Sequence, residues 1–259
     1  MFEKVNPSHP DKIADRIAGA VVDLSYKDNQ DPRVACEVLI GHGVCHVIIE
    51  TNVTIKKVDV ASIIDRIAGD VEKDIVIVPQ DQHLQRNQKD KIRCGDNGIF
   101  KGVPTNEEEE ELSRIARDIY ERNPYDGKYI LDRNHLIVCQ SNIKELEIDG
   151  YSNALINPLG PWTGGFNVDT GATNRKLGSD MGRAVTGGGI HGKDLSKADV
   201  SVNIFAHLEA QKKKKEVEYS CAIGDESIGD IPYSEIVDVA RRYVENLGGF
   251  EALAEWGLI

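Results

Sequence analysis

Two β-rich runs, RVACEVLI at 33–40 and VCHVIIETNVT at 44–54, are separated only by Gly41-His42-Gly43. So short a glycine-bearing connection predicts an antiparallel hairpin. Before it, Ser8-His9-Pro10-Asp11 reads as a helix start, with Ser8 as a possible cap and Pro10 and Asp11 in the first turn. Ile13, Ile17, Val21 and Leu24 then recur on one helical face. After the hairpin come a helix around Val58 to Val71, striped by Val60, Ile63, Ile64 and Ile67, and a short strand, DIVIV. The order α-β-β-α-β predicts an α+β lobe with helices on one face of a mostly antiparallel sheet, and excludes a Rossmann domain.

Residues 80–106 lack periodicity and are expected to form a long irregular segment. NEEEEELSRIARDIYERN begins a second strong helix, its glutamates favoured at the N-terminal end of the helix dipole. Strand-like YILDRNHLIVCQ and NALI follow, then a glycine-rich region from Asn157 to Lys193. Asp194 or Ser196 can cap a helix bearing Val202, Phe205 and Leu208, which leads to the strand EVEYSCAIG and a helix from Ser234 to about Leu247. Helix, strand and helix thus recur three times, giving expected lobes at 1–105, 106–150 (reduced) and 151–259.

With 259 residues and 40% hydrophobic content the chain can bury a real core. It has no run approaching the ~20 apolar residues that cross a bilayer, and MFEKVNPSHPDK is unlike a signal peptide, so a cytoplasmic protein is expected. A net charge of -12 argues against nucleic acid or anionic membrane as partners. The five scattered cysteines contain no C-x-x-C pair and predict reduced thiols, with neither a disulfide framework nor a zinc site. The basic run Lys212 to Lys215 reads as a solvated helix end.

Chemistry concentrates in two glycine-bearing clusters, DTGATNRK from Asp169 and GGGIHGKD from Gly187. They bring Arg175, Lys176, Lys193 and Lys197 close in sequence, and glycines let backbone N–H groups approach an anion. That combination predicts a polyphosphate cradle. Gly187, Gly192 and Lys193 match part of a Walker A pattern, but Asp194 replaces the magnesium-binding Ser or Thr and no apolar strand precedes the loop, which excludes an ordinary P-loop. His9, Asp11 and Lys12 at a helix start could face one anionic ligand, with Asp11 on magnesium; the alternative is that His9 caps or packs and Asp11 complements the dipole. Glu37 in ACEVLI either meets a cation or points to water. Asp199 beside Lys193 and Lys197 is a salt-bridge ladder or a metal ligand, and Trp162 a base-stacking platform or a loop anchor.

SHPDKIADRIAGAVVD, RVACE, CGDNG with PTNE, YDGK, INPLG, DTGATNRK, GGGIHGKDLSKAD and YSCAIG, in this order over roughly Glu3 to Leu247, resemble the signatures of the S-adenosylmethionine synthetase family. The resemblance implies three similar α+β lobes and a homo-oligomer, expected here to be a homodimer, with sites between subunits. It implies attack of the L-methionine sulfur on the ribose C5′ of ATP, then cleavage of the released triphosphate to pyrophosphate and phosphate. By motif match His9 would assist the departing oxygen. Asp11 and Asp199 would hold two Mg2+ ions per site, and Glu37 a K+ ion. Lys128, Arg175, Lys176, Lys193 and Lys197 would surround the triphosphate. Asp126 and Trp162 would address the adenosine, Glu50, Asp96 and Asp169 would position methionine or ribose, Gln80 is matched to a methionine-contacting glutamine, and Ile223 joins the substrate contacts.

The chain is shorter than the family pattern. QDQHLQRNQKDKIRC replaces a longer gating loop, the middle lobe lacks a helix between Leu146 and Tyr151, the last lobe lacks a strand pair after Gly224, and the glycine loop is one residue shorter. A minimal, active enzyme is expected. The rivals are a nucleotide-binding or regulatory relative without turnover, and a polyphosphate hydrolase.

Overall fold

The computed structural model describes residues 1–83, 97–185 and 188–259. In chain order the elements are β1 (Phe2–Val5), α1 (Pro10–Tyr26), β2 (Val34–Gly41), β3 (Val44–Thr51), α2 (Lys57–Ala68), β4 (Glu72–Pro79), β5 (Asn97–Gly102), α3 (Glu107–Arg122), β6 (Gly127–Asp132) and β7 (His135–Gln140). There follow β8 (Leu155–Ile156), β9 (Gly171–Ala172), α4 (Leu177–Met181), α5 (Ala198–Lys213), β10 (Val217–Ala222), β11 (Ser227–Ile228), β12 (Ile231–Pro232), α6 (Tyr233–Leu247) and α7 (Phe250–Trp256). The fold is α+β, with helices packed on mostly antiparallel sheets.

The first sheet runs β4-β3-β2-β9. His42 (φ 50°) and Gly43 (φ 85°) form the two-residue turn between β2 and β3, both left-handed as a hairpin of this twist requires. β4 returns through α2 to pair parallel with β3. One face of this sheet, with Cys36, Val38, Ile40, Val47 and Ile49, packs with Ile13, Ile17 and Val21 of α1 into the largest core. The other face leaves Leu39, Ile48, Val76 and Val78 exposed.

A second sheet, β1-β6-β7-β8, is covered by α3 through Leu112, Ile115 and Ile119 on Tyr129, Leu131 and Val138. α3 begins with a capping box: Glu109 N–H donates to Asn106 Oδ1 at 2.9 Å, and Asn106 N–H donates to Glu109 Oε2 at 3.0 Å. The third layer pairs β5 with β10, and Phe100 and Cys221 pack with Val202 and Phe205 of α5 and Ile236 of α6.

The sheets exchange segments across the expected lobe limits: β1 pairs with β6, β5 with β10, and β9 joins β2. Four local expectations are corrected. Lys197, not Asp194 or Ser196, stands at the N-cap of α5, because the Asp194 carboxylate is turned to the Val34 and Ser196 N–H groups. His9, not Ser8, caps α1, because its ring Nδ1 accepts the Asp11 N–H at 3.1 Å. Part of 80–106 is regular, since Asn97–Gly102 gains a partner strand 120 residues downstream in sequence. A two-residue hairpin, Ser227–Ile228 with Ile231–Pro232, does follow Gly224. Among the described residues no helix is long and apolar enough to cross a membrane.

Candidate active site

Strand β2 assembles the site. One of its edges carries β3; along the other, two separate stretches dock one after the other. Ala35 bridges to Lys193, and the Cys36 N–H donates to the Gly192 carbonyl at 2.7 Å. Farther along, Leu39 and Ile40 pair with Ala172 and Gly171, and the Thr173 N–H donates to the Val38 carbonyl at 3.1 Å. Four residues of extended chain, about 13 Å, therefore set the spacing of the two glycine-bearing clusters. Both contacts require glycine. A Cβ on Gly192, whose φ is +77°, would lie 2.2 Å from the Cys36 carbonyl oxygen, and one on Gly171 would lie 2.0 Å from that of Pro10.

The second contact seats the start of α1 against β9. Asp11 Oδ1 accepts the Ala172 N–H at 2.9 Å, Lys176 Nζ lies 2.9 Å from Asp11 Oδ2, and Arg175 Nε lies 3.6 Å from Oδ1. Beside them, burial, opposed by Asp11 and assisted by Lys176 and Lys128, pulls the His9 imidazole down to about 4. His9 is thus neutral near pH 7, and because Nδ1 accepts the Asp11 N–H, its proton resides on Nε2.

Asp126 closes this side. Its Oδ2 accepts the Gly165 N–H at 2.8 Å, while its buried Oδ1 has no hydrogen-bond partner among the described residues. Burial raises this carboxyl to about 6, with the Gly165 hydrogen bond opposing and Asp169 adding. Trp162 is adjacent: a Cβ on Gly164 would lie 2.5 Å from Asp126 Oδ2 and 2.8 Å from Trp162 Cζ3. The indole N–H donates to Asn157 Oδ1 at 3.1 Å, so the ring is anchored but only half-buried.

On the other arm Lys193 Nζ lies 2.5 Å from Asp199 Oδ2, and Lys197 stands at the N-cap of α5. Glu37 points outward and accepts the Thr173 hydroxyl. Glu50, also exposed, lies opposite Ala35, so Lys193, Ala35 and Glu50 form one row across the sheet. Gln80 is buried just past β4, its N–H donating to the Thr51 carbonyl at 3.0 Å, and Ile223 directly follows β10. Asp96 and most of the shortened 80–94 segment lie outside the described residues.

Lys12 does not join its neighbours. It is turned into the protein, where Nζ lies 2.5 Å from Asp180 Oδ1, 3.1 Å from Asp15 Oδ2 and 3.3 Å from His191 Nε2. His191 Nε2 also lies 3.0 Å from Asp180 Oδ2. Burial opposes every charge here, but Asp180 and Asp15 outweigh it and raise Lys12, while Lys12 and His191 hold Asp180 well below the usual carboxylate range. Asp15 is raised by burial against the pull of His191 and Lys12. Asp15, Asp180 and His191 are spaced as metal ligands, but the Lys12 ammonium already supplies the cation among them. Asn174, not singled out by sequence, donates its N–H to Asp15 Oδ1 at 2.8 Å. The one local signal for this cluster is Lys12 and Asp15 at i and i+3 on α1.

With this geometry established, its relatives are informative. Residues 1–94 match the family model for the N-terminal domain of S-adenosylmethionine synthetase. The S-adenosylmethionine synthase of Borrelia garinii subsp. bavariensis is 28% identical, the alignment covering 87% of this chain and 77% of that protein. That of Finegoldia magna is 29% identical, with 86% and 78% covered. The solved structure of an unusual S-adenosylmethionine synthetase from Campylobacter jejuni superposes with a TM-score of 0.74 at 20% identity, covering 100% of this chain and 95% of that one. The first 94 residues thus match the N-terminal domain of that family, and the chain as a whole is similar to its synthases at 28–29% identity. The likeness in fold to the Campylobacter synthetase extends over the whole chain.

Proposed function

We propose that this protein is a methionine adenosyltransferase that forms S-adenosylmethionine from ATP and L-methionine. The observation that carries the reading is the convergence on one edge of β2 of Asp11, Arg175 and Lys176 with Lys193 and Asp199. A sulfur lone pair attacks the ribose C5′, the C5′–O bond breaks, and its electrons leave on the triphosphate. No proton need be removed from the nucleophile, so catalysis rests on orientation and on stabilising the leaving charge. Lys128, Arg175, Lys176, Lys193 and Lys197 are the residues proposed to meet that charge. His9, neutral with its proton on Nε2, is suited to donate a hydrogen bond to the departing oxygen. The same cradle then holds the triphosphate while water cleaves it to pyrophosphate and phosphate.

The unpaired, buried Asp126 Oδ1 beside Trp162 suits a hydrogen-bond donor on the adenosine, with the indole against a flat ring. Asp169 and Glu50, with Gln80, Asp96 and Ile223, are assigned to ribose, methionine and the remaining substrate contacts. Asp11 and Asp199 offer hard carboxylate oxygens on either arm of the site and would be the residues to hold Mg2+. Glu37, exposed and next to the Thr173 hydroxyl, fits K+. Such ions supply countercharge to the leaving polyphosphate.

A second copy of the chain is the partner assigned to the exposed face of the first sheet, where Leu39, Ile48, Val76 and Val78 surround Glu37 and Glu50. Sedimentation analysis is expected to give a dimer. The function is tested by incubating the protein with ATP, methionine, Mg2+ and K+ and assaying S-adenosylmethionine by mass spectrometry. Phosphate release without that product would instead identify a polyphosphate hydrolase, and nucleotide binding without either product a regulatory relative.

A further inference from the structure

The two arms of the site are also clamped to each other. Asn174 donates its side-chain N–H to the His191 carbonyl at 3.1 Å, and its Oδ1 accepts the His191 N–H at 3.0 Å. Asn174 has φ +60° and lies against Gly189, where a Cβ would come within 2.1 Å of its amide carbon. Arg175 and Lys176 follow this bracket on one strand of chain, and Gly192 and Lys193 follow it on the other. From beneath, Asp15 holds the Asn174 N–H, and Asp180 holds the His191 ring. An ammonium has no acceptor, so the short His191–Asp180 contact is the one that fixes Nε2–H as a donor to carboxylate. These contacts involve none of the residues assigned to substrate.

We propose that the Asn174–His191 bracket is a positioning device that sets the separation of the Arg175–Lys176 and Lys193 arms, and with it the affinity of the site for a triphosphate. This deepens the function proposed above and rests on it. Asn174 and His191 act through the lysines they align, and touch no substrate themselves.

The cleanest variant is Asn174→Gly, which tolerates the left-handed backbone and removes only the amide. His191→Gln, which keeps a side-chain donor for Asp180, is its companion, and His191→Ala removes the ring. Binding of Mg2+-tripolyphosphate is measured by calorimetry without methionine, alongside the KM values for ATP and methionine and hydrogen exchange over 188–193. Asn174→Gly and His191→Ala are expected to weaken tripolyphosphate about tenfold and raise the KM for ATP in step. The KM for methionine should hold, and exchange at the His191 amide should speed up. His191→Gln should recover most of the affinity. Unchanged tripolyphosphate affinity in a folded Asn174→Gly protein would overturn the proposal, as would equal losses for both substrates. Failure of the parent reading is distinguishable, because it shows as wild-type protein that makes no S-adenosylmethionine whatever the variants do to polyphosphate.

Discussion

Asp11 and Lys12 are neighbours on α1, both almost fully buried, yet they serve opposite ends. The Asp11 carboxylate opens toward Arg175 and Lys176, with Oδ2 bonded to a lysine that is itself partly exposed. The Lys12 ammonium is closed in by Asp15, Asp180 and His191, each with a side chain no more than 1% exposed. A helix turns about 100° per residue, so adjacent charges look in different directions, and what each meets decides whether it is structural or available to a ligand. The closed set is held by mutual neutralisation, while the open set leaves cations in excess.

The largest effect expected from that contrast is on stability. Lys12→Met leaves the Asp15 and Asp180 carboxylates buried without their ammonium, and should lower unfolding free energy by about 3–5 kcal/mol in denaturant titration. Adding Asp180→Asn to it should restore part of the loss, and a stable single variant would mean that the closed cluster is not what it is taken for. The open set should respond in rate instead. Lys193→Ala and Asp11→Asn are each expected to reduce turnover by roughly 10²-fold or more with little change in melting; wild-type rates would remove those residues from the site.

A smaller effect separates buried neutral histidines from the paired cluster. Burial lowers His207 from 6.5 to about 4. As pH falls below 6.5 the unfolded chain binds this proton first, so the stability present above 6.5 is lost toward pH 4, by about 1–3 kcal/mol. His9 adds in the same direction, whereas Asp126, raised to about 6, opposes: its contribution is present below about 4 and lost as pH rises through 6. His207→Gln should therefore flatten the fall in melting temperature between pH 7 and pH 5. The smallest effect belongs to an exposed pair, Arg122 and Asp118, where Arg122→Ala should cost less than about 0.5 kcal/mol in the same titration.

Much of this protein was legible locally. The hairpin around His42-Gly43, the glutamate-led start of α3 and the stripes of α1 and α2 follow from turn chemistry and periodicity that neighbours along the chain supply. Eight ordered motifs carried the resemblance to S-adenosylmethionine synthetases as well. The role of Lys12, the bracket at Asn174 and the cluster at Asp180 and His191 were not legible, because, Lys12 and Asp15 apart, their partners lie 11 to 179 residues away, beyond the reach of any local pattern. β5 escaped for the same reason: six residues of modest strand character become a strand only once β10 lies beside them.

The chain itself determines which residues are able to bind polyphosphate, since glycine, lysine and carboxylate chemistry is a property of residue type and close spacing. Tertiary structure decides which of those charges face the ligand and which are consumed in neutralising one another. That choice depends on distances between segments far apart in sequence, and a buried charge is stable only where the folded chain delivers its counter-ion.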